Sequence, residues 1–463
     1  MTMWLPNLSG GQGPKYLAIA DAIAQAVAAG ELPAGSKLPP QRNLAYDLGV
    51  TLGTVTRGYA EARRRGLVGG EVGRGTYVQG AKDARPDGFI AVAPERPGTI
   101  NFAHAIPVRG RPGQSLAKTL ADVATSSEVQ DLAGYQMDTG LPRHREAGAR
   151  WLARSDLAAT PDNIAITNGA QHGILVSLMA LAQPGDTVLA ESLSYPGFIQ
   201  VARQLGLKLE PVAMDDEGII PEALTEAQHR TSARLLYCMP GIHNPTAVMM
   251  SSARMQVLAD TVKKLDLTAI EDEVWSGLSE RQAPPLSSLI PEQTIYITSL
   301  SKTMAGGLRV GYVMASTDQM ARIRAMVRLT GWMAAPLMAE IASRWINDGT
   351  GLDLANWQRH AGGTRHAIAR AYLSELNPTY HPAGHYLWFD LPEPWRAADF
   401  KAEAEARGVL VLSGESFAVG RTSAPHTIRL GIGNPDTDED VHRGLAIVAD
   451  ILRAGPGAGP QAI

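Results

Sequence analysis

The sequence predicts two unlike folds on one chain: an α+β winged helix-turn-helix at the N-terminus, joined to a larger α/β domain with a mostly parallel central sheet. Three observations carry this. Residues 14–78 hold three helical periodicities followed by a glycine-rich hairpin pattern. From Asn163 onward short apolar strands alternate with helical runs, the order that builds a parallel sheet covered by helices. Lys302 follows the strand-like run Thr294 to Ile297, sits between Ser301 and Thr303, and precedes Arg309 across the Gly306-Gly307 bend.

Composition sets the outer limits. A chain of 463 residues suggests roughly two to four domains at about 100–200 residues each. Hydrophobic content of 45% with 19% charged residues is that of an ordinary globular protein. No apolar run approaches the ~18 residues of a membrane span, and Met1 to Pro6 lack a basic segment followed by an apolar one. The single cysteine, Cys238, excludes an internal disulfide framework and a cysteine-based zinc cluster. Lying in the run Leu235 to Met239, it reads as a buried structural thiol. Together these features imply a cytoplasmic protein with no membrane partner.

Charge is unevenly spread. Residues 1–80 carry eight basic side chains (Lys15, Lys37, Arg42, Arg57, Arg63, Arg64, Arg65, Arg74) against five acidic ones (Asp21, Glu31, Asp47, Glu61, Glu71), a net of +3. The whole chain is at −4, so the remainder stands at −7. Salt screens charge beyond roughly 8–10 Å, so the local sign decides, and at this end it favours phosphate contacts.

The N-terminal elements follow in order. Tyr16, Leu17, Ala20, Ile23, Ala24 and Val27 recur at helical spacing, predicting a helix that ends near Gly30. Leu38-Pro39-Pro40 opens a second helix with Leu44, Ala45 and Leu48 on one face, closed by Gly49. After the turn Val50 to Gly53, a third helix places Val55, Tyr59 and Ala62 on one face and ends at Gly66. Leu67 to Val72 and Thr76 to Val78 read as two strands around Gly73-Arg74-Gly75. Arg63-Arg64-Arg65 reads as a solvated helix end that complements the helix dipole.

The stretch KLPPQRNLAYDLGVTLGTVTRGYAEARRRGLVGGEVGRGTYV, within about 65 residues of such sequence, closely resembles GntR-type regulators. The resemblance implies that the third helix enters the major groove of operator DNA while the wing tip touches the backbone or minor groove. By position, Arg42 matches the second-helix arginine. Thr51, Thr54 and Thr56, with Arg57, match recognition-helix contacts, and Arg74 matches the wing-tip base. Leu52 stands where arginine is frequent in that family.

Residues 1–80 are therefore expected to form the DNA-binding domain. Proline and glycine then punctuate every possible element between Gln79 and Gly98, so 81–98 reads as a semi-extended linker. A second domain is expected over 99–453, its small C-terminal α+β subdomain at about 345–453, with a tail over 454–463.

In that second domain Asn163 to Thr167, Thr187 to Ala190, Arg234 to Cys238, Leu267 to Ile270 and Thr294 to Ile297 are strand-like, and Gln171 to Leu181 is helical. Ligand chemistry is expected at the C-terminal strand ends of such a sheet. Candidate residues fall there. Asn168-Gly169-Ala170-Gln171 joins a strand to a helix start, where free N–H groups face an anion. Tyr195 can stack on a flat heteroaromatic ring, and Asn244, in His243-Asn244-Pro245-Thr246, can donate to a phenolate oxygen. A buried carboxylate in Glu271-Asp272-Glu273 can keep a pyridine nitrogen protonated, which lets the ring act as an electron sink.

Phosphate turn, aromatic, Asn-Pro, Asp, Ser-x-x-Lys and Arg, in that order over roughly residues 100–450, resemble the class I/II aminotransferases of the fold-type-I pyridoxal-phosphate (PLP) transferases. The resemblance implies PLP as cofactor, bound by Lys302 as a Schiff base. Gly169, Ala170, Gln171, Ser299 and Arg309 would hold its phosphate and Tyr195 would stack. Asn244 would contact the ring oxygen and Asp272 the ring nitrogen. Arg429, in Thr427-Ile428-Arg429-Leu430-Gly431, matches the arginine that grips an α-carboxylate through a bidentate pair. Tyr135 matches the tyrosine that reaches the partner protomer's phosphate, implying a homodimer. Two positions depart from the pattern. Val274 and Trp275 replace a tyrosine that donates to the cofactor oxygen, a place the Trp275 indole N–H can take, and Ala247 replaces a glycine.

A winged helix fused to an aminotransferase-like domain resembles the MocR subgroup of GntR regulators. That resemblance implies a PLP-dependent, DNA-binding transcription regulator that senses PLP or a small amino compound. The alternative is an active PLP-dependent aminotransferase carrying an accessory winged helix.

Overall fold

A computed structural model describes residues 4–6, 15–28, 31–32, 36–64, 67–71, 75–78, 98–278, 283–420 and 424–456. The chain divides into two compact units, 1–89 and 90–463.

The first unit contains helices α1 (Lys15–Ala28), α2 (Gln41–Asp47) and α3 (Leu52–Arg64), then strands β1 (Val68–Glu71) and β2 (Gly75–Val78). The strands pair antiparallel, Val68 facing Val78 and Glu71 facing Gly75. Pro40 precedes α2, its carbonyl accepting from Leu44 N at 3.0 Å, and the Tyr59 hydroxyl donates to Pro39 O at 2.8 Å. Gly49 ends that turn at φ +59°, a conformation glycine adopts without penalty. The core joins Ile19, Ala20, Ile23 and Ala26 to Leu44, Val55, Tyr59 and Ala62.

The buried face of α1 is rotated from the predicted one. Ile19 and Ala26 are buried with Ala20 and Ile23, while Tyr16, Leu17, Ala24 and Val27 are only half-buried. Most positions of this helix are apolar, so the pattern leaves its phase open, and the partner helix decides. A Cβ on Gly58 would lie 2.9 Å from Ile19 Cγ2, so α3 can approach α1 only where glycine stands. The predicted wing tip Gly73-Arg74, the linker residues 79–97 and the tail beyond 456 lie outside the described residues.

In the second unit the strands are β3 (Ile100–Asn101), β4 (Ile164–Thr167), β5 (Thr187–Glu191), β6 (Lys208–Val212), β7 (Met214–Asp215), β8 (Gly218–Ile219), β9 (Leu235–Cys238), β10 (Thr268–Asp272), β11 (Thr294–Ser299), β12 (Gly311–Met314), β13 (Thr379–Tyr380), β14 (Leu387–Asp390), β15 (Val409–Leu410), β16 (Leu412–Ser413) and β17 (Thr427–Leu430). The main sheet has the order β4-β12-β11-β10-β9-β5-β6. All its pairings are parallel except those of β12, which runs antiparallel to both neighbours. The expected mostly parallel sheet is thus present. β4, β9, β11 and β12 are buried along their whole length, as strands covered on both faces must be.

A second sheet, β13-β14-β17-β16, is antiparallel and shares a hydrophobic core with the helices Thr350–Leu373, Ala397–Ala406 and Asp438–Ala454. β3 pairs in parallel with β15, so the start of this unit is stitched to its C-terminal part. No described helix is long and apolar enough to cross a membrane.

Candidate functional site

The C-terminal ends of β4, β5, β9, β10 and β11 open on one side of the main sheet, where crossover connections leave a crevice. β4 runs into Asn168-Gly169 and the helix Ala170–Leu181. Gly169 has φ +79°, and a Cβ there would lie 2.4 Å from Arg309 Nη2, so only glycine leaves room for the guanidinium. Arg309, itself at φ +51°, donates to Asn168 O at 3.3 Å and to Ser301 Oγ at 3.4 Å. A helix N-terminus, a guanidinium and a hydroxyl therefore converge on one exposed spot suited to a phosphate.

Ser301 supplies a hydroxyl beside Arg309 that the sequence reading did not assign. Ser299, the predicted contact, is buried at the end of β11, and its Oγ accepts from Ser301 N at 3.4 Å. The signal was present as a second serine directly before Lys302. The turn after β11 swings that one, rather than Ser299, against Arg309.

Gln171 reaches across from the first helical turn, its Nε2 donating to Gly197 O at 3.1 Å, while its buried Oε1 has no partner. It thereby ties the anion turn to the Tyr195 loop. Burial, and secondly the charge of Asp272, raise the Tyr195 phenol to about 12, so it stays neutral.

At the end of β10 adjacent carboxylates point opposite ways, as strand alternation requires. Glu271 accepts from Leu286 N and Ser287 N at 2.8 and 2.9 Å, outside the crevice. Asp272 faces inward. Its Oδ2 accepts from the Tyr237 hydroxyl at 2.6 Å and its buried Oδ1 has no partner. Burial pushes this carboxyl up to about 6 despite the Tyr237 bond.

Lys302 stands across from it. Burial, then the nearby Arg429 and Arg309, push its amine down to about 7. Nζ donates to Ala105 O at 2.5 Å and lies 4.9 Å from the centre of the Trp275 ring. Trp275 is buried and held edge-on by His385 and Tyr386, with ring centres 5.6 and 5.3 Å away. The indole thus presents its face to the amine.

Arg429, on β17, is buried between Phe417 and Tyr386, 4.8 and 5.8 Å from their ring centres. Nη1 donates to Asn244 Oδ1 at 2.9 Å and Nη2 to Ala103 O at 2.5 Å, leaving Nε unpartnered. Burial lowers this guanidinium to about 10, still charged at neutral pH. Asn244 is therefore shared between the crevice and Arg429. Tyr135 is not gathered into the site of its own chain. It is 84% exposed and packs at 5.8 Å on Trp332.

The comparisons with known proteins bear on this geometry. Residues 109–446 match the model of the family described as aminotransferase class I and II. The chain belongs to that family. Residues 15–78 match the bacterial regulatory proteins of the gntR family, and the pairing is that of the MocR subgroup. The HTH-type regulator YdeF of Bacillus subtilis (strain 168) is 28% identical over 97% of this chain and 96% of its own length. The vitamin B6 salvage pathway transcriptional repressor PtsJ of Salmonella typhimurium is 27% identical over 92% of this chain and 97% of its own. Among solved structures, an archaeal alanine:glyoxylate aminotransferase is similar at a TM-score of 0.69 and 26% identity, over 77% of this chain and 91% of that one.

Membership implies pyridoxal 5′-phosphate as the cofactor, and the residues present fit it. Asp272 Oδ1 is a buried acceptor lacking a donor, which a protonated ring nitrogen supplies. The Gly169–Arg309 cradle admits an anion and no side chain. Lys302 offers an amine that is partly neutral near pH 7.

In the gntR unit the predicted contacts are less free than the sequence suggests. Thr51 Oγ1 accepts from Thr54 N at 3.2 Å and lies 2.9 Å from Thr54 Oγ1, so this pair caps α3. Thr56 Oγ1 donates to Gln41 Oε1 at 2.8 Å, and the Arg57 guanidinium lies 5.6 Å from the Tyr16 ring centre. Arg42 is exposed on α2, and Leu52 is exposed at the first position of α3. Arg74 lies outside the described residues.

Proposed function

We propose that this protein is a PLP-dependent, DNA-binding transcription regulator whose aminotransferase-like domain senses PLP or a small amino compound. One observation carries the reading: a gntR-family unit precedes a crevice that holds an amine, an anion cradle, a lone carboxylate oxygen and a buried arginine with an unpartnered Nε. Full-length similarity to regulators supports it, and the PtsJ name supports a vitamin B6 compound as the effector class.

When bound, PLP supplies a carbonyl that condenses with primary amines and a ring that accepts electron density. This chain's residues do the rest. Gly169, Ala170, Gln171, Arg309 and Ser301, with Ser299 behind it, orient the phosphate. Tyr195 covers one ring face, Asn244 addresses the ring oxygen and Asp272 holds a proton on the ring nitrogen. Lys302 is the covalent attachment point, Trp275 walls it in, and Arg429 binds an effector carboxylate.

A homodimer in the cytoplasm places two winged helices on one operator, with Tyr135 reaching towards the partner protomer. In each, Arg42, Thr51, Thr54, Thr56, Arg57 and Arg74 meet the duplex, the threonines through backbone approach as much as through base reading.

The test is a spectral titration of purified protein with PLP and candidate amines while operator affinity is followed. A visible band that requires Lys302, shifts with an amine and changes operator affinity supports the proposal. Steady amino-group transfer to a keto acid with no sequence-specific DNA binding would establish an aminotransferase instead.

A further inference from the structure

We propose that Leu52 is a specificity-determining residue that reads the 5-methyl group of a thymine in the major groove. This rests on the DNA-binding reading of the first unit and adds the chemistry of what it recognises. The N-terminal residues of a recognition helix are the ones that reach base edges, and α3 begins at Leu52.

The hydrogen-bonding groups beside it already have partners. Thr51 and Thr54 bond each other, Thr56 bonds Gln41, and Arg57 lies over Tyr16. Leu52 differs from them: it is 44% exposed although apolar, while Val55, Tyr59 and Ala62 of the same helix are buried against α1 and α2. Gly53 follows, and a Cβ there would meet nothing nearer than Thr51 Oγ1 at 4.0 Å. The helix start is thus a bare backbone flanked by one isobutyl group, a shape that can press against a base edge.

A lone exposed leucine is ordinary on a protein surface. Here it is the first residue of α3, in a segment of net positive charge, 1–80. Thymine is the base whose major-groove edge carries an alkyl group, and an apolar side chain is its complement.

The experiment selects operators from a random duplex library with the full-length PLP-loaded protein, then replaces each thymidine of the selected site by deoxyuridine. That exchange removes the methyl and keeps every hydrogen-bonding group. At one position per half-site, binding is expected to weaken by about four-fold, the contribution of one buried methyl. The Leu52→Ala protein, checked for unchanged melting and visible spectrum, is expected to bind thymidine and deoxyuridine sites equally there. Tolerance of deoxyuridine at every position, or an equal loss in Leu52→Ala, overturns this inference and leaves the regulator reading intact. Failure to enrich any sequence overturns both.

Discussion

The Lys302 amine lies 4.9 Å from the centre of the Trp275 ring while donating to the Ala105 carbonyl. Neither partner removes its proton. Burial and two neighbouring guanidiniums do, bringing the amine to about 7 from the usual lysine value. Because the cationic form is disfavoured, the neutral nucleophile accumulates as pH rises through that value. Capture of PLP by the cofactor-free protein should therefore accelerate through pH 7 and level off above it, read as growth of the visible band by stopped flow. A half-point near 10 would show a solvated lysine, and Lys302→Ala should give no band.

Asp272→Asn removes the charge that would pair with the ring nitrogen while keeping the shape. A charge-assisted bond contributes about 1.5–3 kcal/mol, so PLP affinity should fall by roughly 10- to 100-fold, measured by equilibrium dialysis. Tyr237, which donates to the same carboxylate, should keep the fold in place.

Gly169→Ala puts a methyl 2.4 Å from Arg309 Nη2 at a backbone angle of +79°. With ψ at 171° this backbone conformation is open essentially to glycine alone and costs any other residue about 1–3 kcal/mol, and Arg309 must move. Inorganic phosphate should then no longer compete with PLP for the site, and the melting temperature should drop.

Glu340 accepts from His144 at 2.8 Å, Arg344 at 2.8 Å and Arg143 at 3.0 Å, which joins the helices Pro142–Ala153 and Pro336–Asn347. These bonds, led by that of His144, hold its carboxyl down at about 2. A depressed carboxyl stabilises the fold above its unfolded value of 4.5, and the contribution fades as pH falls from there towards 2. Glu340→Gln should cost about 2–4 kcal/mol at pH 7 and progressively less in acid, by denaturant titration at each pH.

Gly58→Val should separate the two units. Its side chain would collide with Ile19 and with the Tyr16 carbonyl, 2.9 and 3.1 Å from the Cβ position. Overpacking of this kind costs about 1–3 kcal/mol, enough to loosen α1 from α3. DNA binding should fail while PLP binding and the visible spectrum stay unchanged.

Much of the second unit was legible because its strands are short apolar runs, and because Lys302, Asp272 and Arg429, residue types of limited alternative use, do come close to one another. β6 escaped because Lys208, Glu210 and Pro211 interrupt it at the sheet edge, where polar residues are tolerated. β12 escaped because it follows the Arg309 turn immediately, and its antiparallel direction is set by neighbours on either side. At the site, Ser301 was visible directly before Lys302, but only the turn after β11 sets its hydroxyl against Arg309. The carbonyls of Ala103 and Ala105 were invisible in principle, since every residue has one and these meet side chains 326 and 197 positions away. The caps on α3 were hidden for a related reason: threonine reads alike whether its hydroxyl faces a base or its own backbone.

Those two carbonyls have a consequence. A guest carboxylate gripping Arg429 side-on needs Nη2, and a cofactor carbonyl needs Lys302 Nζ; both nitrogens are at present moored to Ala103 and Ala105. Guests at both nitrogens would therefore untie the same three-residue stretch twice. That stretch begins two residues after β3, so such guests would release the second unit's backbone close to its first strand.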